Sequence, residues 1–398
     1  MSKSNILNRD RADRKGSDVM NFYLTEEQER LRKKVAGFAN QIVAPLAPIV
    51  DKTGMIPSEI IDGARELNLF GITFPKTLGG GEAGYTGLVI AVEEIARVCA
   101  STAFAIASHI GPAEAISLFG SARQKEDYLV PLVQGKCIAA FAVTETGAGS
   151  DMTAVTTRAA QTGDNWTING RKIFVTNADR AKLVVIAAVT EDTGRPKERM
   201  SLLLVPSGIP GFTVGSSYLK MGMRGVSNHE IFFDDCKIPL ENLLGTRGNG
   251  YFQILDVINR SRIAIAALSV GIARACLESS LSYAKYRRQF GQPISKFQAI
   301  RFKLADMATQ LELARLMTYK AAWLVDNKRP HRKESAMAKL YASEIASLAA
   351  NHAIQIHGGA AYTTDYPQER YLRDAKLVEL AEGTSEILRI TIAKQLGC

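Results

Sequence analysis

The sequence predicts an α+β protein in which a helical region comes first, a β domain follows and a helical bundle completes the chain. Apolar residues recur at helical spacing in the first third, alternate with polar residues after about residue 136, and return to helical spacing from Gly250. With 398 residues, 46% of them hydrophobic, the chain has room for about two to three domains and a sizeable core. We therefore expect a disordered tail at 1–20, a helical domain at 21–138, a β domain at 139–249 and a helical domain at 250–398.

The first helix is predicted to begin just after Leu24. Thr25 is a suitable N-cap, and two glutamates follow it in the first turn. The apolar face is formed by residues three or four apart, namely Leu31, Val35 and Phe38. Similar patterns, separated by glycine and proline, recur at 57–72, 87–109 and 121–135.

The middle of the chain is predicted to form a compact β domain. In the segment NWTINGRKIFVTN, residues 165–177, two alternating runs meet at Asn169-Gly170, which is the strongest short signal of a hairpin turn. Further apolar runs bounded by turn residues follow at 182–189, 200–206 and 229–239.

Helical spacing returns after Gly250. One apolar stripe runs along the first of these helices through Ile254, Leu255, Ile258, Ile265, Leu268 and Ile272. Two more helical segments are predicted at 297–327 and 333–359. Lengths of roughly 20 to 30 residues and wide apolar faces are typical of a helix bundle.

Composition argues against several functional classes. The five cysteines are scattered without a C-x-x-C pair, and the histidines lack the spacing of a helical ligand pair, so neither disulfides nor a metal site is predicted. Basic and acidic residues interleave despite the net charge of +9, which gives nucleic-acid binding weak support. No apolar run of about 18 residues is present to span a bilayer, and the first residues do not resemble a secretory or organelle signal. We expect a cytoplasmic protein that binds neither membranes nor nucleic acid.

The segment FAVTETGAGSDM, residues 141–152, joins an apolar strand to a stretch almost without side chains. The third glycine of a dinucleotide-binding fingerprint is missing, and no β-α-β unit follows. One interpretation is a plain turn. The other is a backbone that a ligand approaches closely, since Gly147 and Gly149 expose their N–H groups. Thr144 and Ser150 add two hydroxyls, and together these groups suit a pyrophosphate or the edge of a ring.

A second cluster of glycine and hydroxyl residues lies in the segment EGTSEI, residues 382–387. Thr384 or Ser385 is suited to cap a helix there, which accounts for the hydroxyls. It does not account for Glu382, a carboxylate that follows an apolar stretch and should be partly desolvated. Desolvation raises the pKa of a carboxyl group, and a base with a raised pKa can remove a carbon-bound proton at neutral pH.

Six motifs, in order along the chain, carry a family resemblance. They are AVTETGAGSDM at 142–152, INGRKIFVTN at 168–177, MGMRGVSNHEIFFDDCKIP at 221–239, YRRQFGQPISKFQAI at 286–300, QIHGGAAYTTDYPQERYLRDAK at 355–376 and EGTSEI at 382–387. From about Met20 to Cys398 the chain resembles the acyl-CoA dehydrogenase family. The resemblance implies a helical N-terminal domain, a middle β domain and a C-terminal four-helix bundle. It also implies FAD held between sheet and bundle, in a homotetramer.

The resemblance implies a set of FAD contacts. The residues expected at the flavin ring and along the pyrophosphate are Phe141, Val143, Thr144, Gly149 and Ser150. Phe174 would flank the ring, and the Thr176 hydroxyl would donate towards flavin N5. Positions that would contact the FAD of a neighbouring subunit are Arg287, Phe290, Gln298, Gln355, Gly358 and Gly359. Thr384 and Glu386 match further FAD contacts.

The resemblance also implies the chemistry. Glu382 matches the catalytic base, which removes the proton α to the thioester while hydride leaves the β carbon for flavin N5, giving a trans-2-enoyl-CoA. The Glu382 amide and a ribityl hydroxyl of FAD would polarise the thioester oxygen as charge develops. Substrate contacts are expected from Ser150, Arg262, Ala381 and Gly383. The electrons would pass to an electron-transfer flavoprotein.

Two departures from common members of the family bear on the reaction. Some members place the base one residue before Arg262, where this chain has Ser261, and this supports Glu382 as the base. Many straight-chain enzymes have a tyrosine where this chain has Ala381, so we expect space for a branched or alicyclic acyl group.

Other activities remain open for the same fold. An enoyl-CoA reductase, or a desaturase that acts on a carrier-protein thioester, would use the same cofactor and domains. A flavin-binding relative that binds nucleic acid would suit the net charge of +9, but the sequence shows no added basic domain.

Overall fold

The α+β class predicted from the sequence is confirmed in a computed structural model that describes residues 23–398. The tail expected at 1–20 lies outside the described residues. A large hydrophobic core joins the helices to one face of a central sheet, and a smaller core covers the other face. Neighbouring residues of one strand, such as Val184 and Val185, enter different cores, as the period of two requires.

Helices form the first part of the described chain. They are α1 Glu26–Phe38, α2 Ala44–Thr53, α3 Ser58–Glu66, α4 Gly84–Ala96, α5 Ala100–Phe119, α6 Ala122–Gln124 and α7 Val130–Val133. Thr25 caps α1 as predicted, because its hydroxyl accepts from the Gln28 N–H at 3.2 Å and the Gln28 side chain accepts from the Thr25 N–H at 2.9 Å. The helical pattern at 87–109 divides into α4 and α5 because Cys99 between them is extended, with φ −151°.

The middle of the chain forms an eight-stranded sheet. Its strands are β1 Ile138–Ala142, β2 Arg158–Thr162, β3 Asn165–Thr176, β4 Ala181–Val189, β5 Met200–Pro206, β6 Phe212–Ser217, β7 Asn228–Pro239 and β8 Leu243–Leu244. Their order is β6-β7-β3-β2-β4-β5-β8, and β1 pairs with β4 in parallel. The carboxyl end of β1 therefore points in the same direction as that of β4.

The hairpin turn predicted at Asn169-Gly170 is wrong. Both residues lie inside β3, and the two-residue turn is formed instead by Gly163-Asp164, between β2 and β3. Gly163 has φ 59°, as a tight turn requires, whereas at Gly170 the pairing of β3 with β7 shifts and the strand continues. The Asn169 side chain donates to Asp235 of β7 at 2.9 Å, so it joins two strands instead of closing a turn.

The C-terminal region is a four-helix bundle followed by a short helix. After α8 Gly250–Tyr286 comes a small hairpin of β9 Arg288–Gln289 and β10 Gln292–Pro293, and then α9 Gln298–Asp326, α10 Arg332–His357, α11 Gln368–Leu380 and α12 Ser385–Gln395. Helices α8 to α11 form the bundle. Of the described helices, α8 alone is long and apolar enough to cross a membrane, yet 78% of its most apolar stretch is buried inside the protein. Burial of that extent is typical of a core helix.

All three regions of the chain meet at α11. Gly222, from the segment between β6 and β7, lies so close to α11 that a Cβ atom there would overlap the Arg373 carbonyl group. The Arg373 side chain pairs with Asp51 of α2 at 2.6 Å. Helix α11 is therefore held from two sides.

We expect Gly222→Ala to lower the free energy of unfolding by about 1–3 kcal/mol, because the added methyl group must displace the backbone of α11. Urea or thermal unfolding measures the change. Gly37→Ala is the matched control, since nothing lies within 4 Å of its Cβ position in α1, and it should be neutral or slightly stabilising. Equal unfolding midpoints for Gly222→Ala and the wild type would contradict the close contact.

Candidate active site

The loop between α11 and α12 has an uncommon backbone conformation. It spans residues 381–384, in which Glu382 and Gly383 have φ values of 56° and 99°. A positive φ is unfavourable for a non-glycine residue, so contacts from outside the loop must hold Glu382 in place. Thr384 ends the loop and caps α12 as predicted, its hydroxyl accepting from the Ile387 N–H at 3.4 Å.

Helix α8 provides the contacts to Glu382. The Ser261 hydroxyl donates to Oε2 of the carboxylate at 2.9 Å, and Arg262 Nε donates to the Glu382 carbonyl oxygen at 3.1 Å. Arg262 is fixed in turn because its Nη1 donates to Asn259 Oδ1 at 2.8 Å. The structure thus brings together Glu382 and Arg262, both singled out in the sequence, and adds Ser261 as a contact of the carboxylate.

The surroundings of Glu382 act on its pKa in opposite directions. Burial raises the pKa of the Glu382 carboxyl group above its ordinary value, as predicted, and outweighs the opposing effects of the Ser261 hydroxyl, Arg262 and Lys339. The apolar neighbours in sequence do not all contribute to this burial, because Leu380 is 54% exposed. It results instead from the packing of the loop against α8 and α10. Burial also lowers the pKa of Arg262 to about 10.

The sequence analysis missed Lys339 of α10. Its Nζ donates to the Gly383 carbonyl oxygen at 2.7 Å, so it contacts the residue that follows Glu382. A signal was present in the sequence, because Ser335 and Ala342 lie on the same helix face and are small. All three side chains are fully buried. A lysine on a face of small residues indicates a buried ammonium group.

A second group of predicted residues meets at the edge that β1 and β3 form. The Thr144 carbonyl oxygen accepts from the Ile173 N–H at 2.9 Å, which places the segment after β1, including Val143, beside Phe174. Phe174 has φ 57° and is 58% exposed, and its ring centroid lies 5.1 Å from that of Tyr218. An exposed aromatic ring on a strained backbone is suited to contact a ligand.

Thr176 ends β3 at the same edge. Its hydroxyl oxygen accepts from Asn228 Nδ2 at 3.2 Å, and the same amide nitrogen lies 2.9 Å from the Phe174 carbonyl oxygen. Within the part of the chain that the structure describes, the Thr176 O–H has no acceptor. It is therefore free to donate to a ligand, as the family resemblance implies.

A buried ion pair beneath this edge was also missed. Lys172 Nζ donates to Glu145 Oε1 at 2.7 Å and to the Val143 carbonyl oxygen at 3.1 Å. The Glu145 carboxylate also accepts from the N–H groups of Thr156 and Thr157. Burial opposes ionisation, but Lys172 and the threonines hold the pKa of Glu145 below its ordinary value. The pair fixes the segment after β1, and the inward register of Lys172 within β3 could have revealed it.

The glycine segment after β1 fits a bound cofactor. Gly147 and Gly149 have no positive φ, and nothing lies within 4 Å of either Cβ position. Their surroundings therefore leave room for a ligand to contact the backbone. Ser150 beside them is exposed, and Phe141 in β1 is half-buried.

A third group of predicted residues lies at the other end of the bundle. Arg287, Phe290 and Gln298 surround the β9–β10 hairpin, and Phe290 is 92% exposed. Gln355, Gly358 and Gly359 lie at the end of α10. The two sets are adjacent, because Tyr283 of α8 stacks on His357 of α10 with ring centroids 4.2 Å apart. Between residues 23 and 398, no hydrogen bond connects this group to the edge of β1 and β3.

The remaining predicted residues lie near the first group. Ala381 and Gly383 flank Glu382 in the loop, and Ala381 is extended with ψ 150°. Glu386 is exposed in the first turn of α12. The loop and α8 therefore carry the group around Glu382, and the strand edge carries a second group of predicted residues.

Comparison with known proteins identifies the family. The description "Acyl-CoA dehydrogenase, N-terminal domain" matches residues 25–136, the middle domain matches 140–236 and the C-terminal domain matches 248–397. The chain belongs to the acyl-CoA dehydrogenase family. It is therefore an oxidoreductase of this family, and its cofactor is FAD.

Individual relatives agree with this assignment. A probable acyl-CoA dehydrogenase of Bacillus subtilis is 48% identical over 95% of this chain and 100% of its own. An acryloyl-CoA reductase (NADH) of Anaerotignum propionicum is 41% identical over 95% of this chain and 96% of its own. The structure of butyryl-CoA dehydrogenase from Megasphaera elsdenii superposes with a TM-score of 0.93 at 36% identity, covering 95% of this chain and 100% of that one.

We expect Gly149→Ala to weaken FAD binding about tenfold or more while leaving the thermal midpoint of the FAD-free protein unchanged. The added methyl group meets no atom of the chain but stands where we place the cofactor. Fluorescence titration with FAD and a thermal scan measure the two effects, and Gly37→Ala is the control for both. Unchanged FAD affinity would contradict the position assigned to the cofactor.

We expect Ser261→Ala to raise the pKa of Glu382 further, since a hydrogen bond to the ionised form is lost. A protonated carboxyl cannot act as a base, so the rising limb of the pH–rate profile for flavin reduction should move to higher pH. Stopped-flow absorbance measures this profile. Ser279→Ala, on the same helix with its hydroxyl bonded only to a helix carbonyl, should leave the profile unchanged.

Proposed function

We propose that this enzyme dehydrogenates an acyl-CoA thioester to the trans-2-enoyl-CoA, with Glu382 as the catalytic base. One observation carries the proposal. A glutamate with a raised pKa is held by Ser261 and Arg262 in a left-handed loop of an FAD-dependent acyl-CoA dehydrogenase. Such a carboxylate is a stronger base than one in water, and its fixed position suits removal of the proton α to the thioester.

The backbone of the same loop supports the developing charge. Arg262 and Lys339 bind the carbonyl oxygens of Glu382 and Gly383. The Glu382 N–H has no acceptor among residues 23–398 and is free to donate to the thioester oxygen. A preorganised donor of this kind is worth about 2.7–4 kcal/mol in enzymes with an oxyanion hole. When bound, FAD would supply the acceptor for the hydride that leaves the β carbon.

The residues proposed to hold FAD form two sets. Phe174, Thr176 and the segment after β1 would bind the flavin and pyrophosphate of the same chain. The group around Phe290 would contact the FAD of a neighbouring subunit, because it lies at the other end of the bundle and exposes a large aromatic ring. This arrangement supports a homotetramer.

A cavity beside α8 is the proposed binding site for the coenzyme A moiety of the substrate. Its volume is about 640 Å³, and Asn259, which binds Arg262, is part of its wall. Three basic residues line the wall, namely Arg260, Arg332 and Lys333. The acidic residues in the wall are Asp256 and Glu334. We place the phosphate groups of coenzyme A here, beside these basic side chains.

The acyl group is proposed to be short, or branched or alicyclic. The butyryl-CoA dehydrogenase from Megasphaera elsdenii acts, as its name says, on butyryl-CoA. Ala381 leaves space beside the reacting carbons for a branched or alicyclic group. We propose an electron-transfer flavoprotein as the electron acceptor and the cytoplasm as the location.

An enoyl-CoA reductase is the second candidate. The acryloyl-CoA reductase at 41% identity favours it, since the same base and cofactor serve the reverse reaction. Anaerobic mixing with butyryl-CoA, isobutyryl-CoA and cyclohexanecarbonyl-CoA tests the proposal, because a dehydrogenase bleaches its flavin with at least one of them. A flavin that no acyl-CoA bleaches, but whose reduced form an enoyl-CoA reoxidises, would assign the reductase.

We expect Glu382→Gln to bind FAD normally and to lose flavin bleaching by a factor of about 10²–10⁴, because the amide cannot take the α proton. Stopped-flow absorbance of the flavin band measures the rate. Glu312→Gln, which replaces an exposed glutamate of α9, is the control and should react at the wild-type rate. Bleaching of Glu382→Gln within threefold of the wild type would remove Glu382 from the mechanism.

A further inference from the structure

A lysine ammonium group is fully buried near the proposed base. Lys339, on α10, has no exposed side-chain surface, and the helix face around it is formed by small residues. A buried charge is unfavourable unless hydrogen bonds and an opposite charge compensate it. Its partners therefore indicate what it contributes.

The hydrogen-bond partners of Lys339 are backbone carbonyls of the segment that carries Glu382. Nζ donates to the Gly383 carbonyl oxygen at 2.7 Å and to the Glu379 carbonyl oxygen at 3.2 Å. The second is one of the last carbonyls of α11, which have no partner within the helix. The Glu379 side chain is engaged elsewhere, since its Oε2 accepts from the exposed Lys376 at 2.7 Å. Both hydrogen bonds of Lys339 therefore go to backbone carbonyls and not to a carboxylate.

The opposite charge for Lys339 is the Glu382 carboxylate. Burial lowers the pKa of Lys339 to about 8, and Glu382 opposes this more strongly than any other group. Lys339 in turn lowers the pKa of Glu382. The other charged groups that act on this pair are Arg262 of α8, Glu344 of α10 and Glu379 of α11.

Two consecutive carbonyl oxygens of the loop are each bound by a cation from a different helix. Arg262 of α8 binds that of Glu382, and Lys339 of α10 binds that of Gly383. These are the two residues with positive φ. The cations therefore hold the conformation that the backbone of Glu382 would not adopt alone.

We propose that Lys339 is a positioning residue of the active site, which fixes the left-handed loop through the Gly383 carbonyl and favours the ionised form of Glu382. The inference rests on the proposed role of Glu382 as the base. Lys339 itself does not contact the reacting atoms. Its effect should appear in the pH profile as well as in the rate.

The test compares Lys339→Met, which removes the charge and the donors, with Lys339→Gln, which keeps one amide donor. Lys376→Met is the matched control, because it removes an exposed lysine that binds the same residue, Glu379. Each holoenzyme is mixed anaerobically with butyryl-CoA between pH 6 and 10, and FAD content and thermal midpoint are recorded. Lys339→Met should bind FAD, and its flavin should bleach at least about tenfold more slowly at pH 7. The rising limb of its pH–rate profile should lie about one pH unit higher than that of the wild type.

The outcomes separate positioning from stability. Lys339→Gln should show the same displacement of the rising limb with a smaller loss at the plateau, whereas Lys376→Met should match the wild type. A rising limb at the wild-type pH in either Lys339 variant would overturn the inference. So would failure of both variants to fold while Lys376→Met folds, because Lys339 would then serve stability. If no acyl-CoA bleaches the flavin of the wild type, that result contradicts the proposed function and not the role of Lys339.

Discussion

The left-handed loop at 381–384 is the constraint on which the proposed site depends. A glutamate does not adopt φ 56° without cause, and the contacts that impose it come from residues 120 and 44 positions away in the chain. The same contacts bind the loop carbonyls, whereas the Glu382 N–H has no acceptor among residues 23–398. One backbone conformation thus determines the direction of the proposed base and of the N–H proposed to donate to the thioester.

The two sides of the site are supported by the same device. Beneath the strand edge, Lys172 is buried and donates to the Val143 carbonyl oxygen, and beneath the loop Lys339 is buried and donates to the Gly383 carbonyl oxygen. An ammonium group can bind several acceptors at once, and in a site of low dielectric its bonds are strong. Two short irregular segments of the proposed site are thereby each held by a buried lysine.

The glycines of this protein serve three physical purposes. Gly383 permits a positive φ, and Gly222 permits the close approach of α11. Gly147 and Gly149 are required by neither conformation nor crowding within the chain. Their open surroundings leave room for a ligand at the backbone, and FAD is the cofactor of the family.

The sequence by itself determined the fold class, the family and the positions of most elements. Helical and alternating periods, the Thr25 cap and the Thr384 cap depend on neighbours a few residues apart, which is why local patterns predict them. The turn expected at Asn169-Gly170 failed because pairing with β7 outweighed a local preference. Only the tertiary structure placed Ser261 on the carboxylate and Lys339 beneath the loop. Contacts between residues far apart in the chain depend on how whole helices pack, and no short stretch of sequence contains that information.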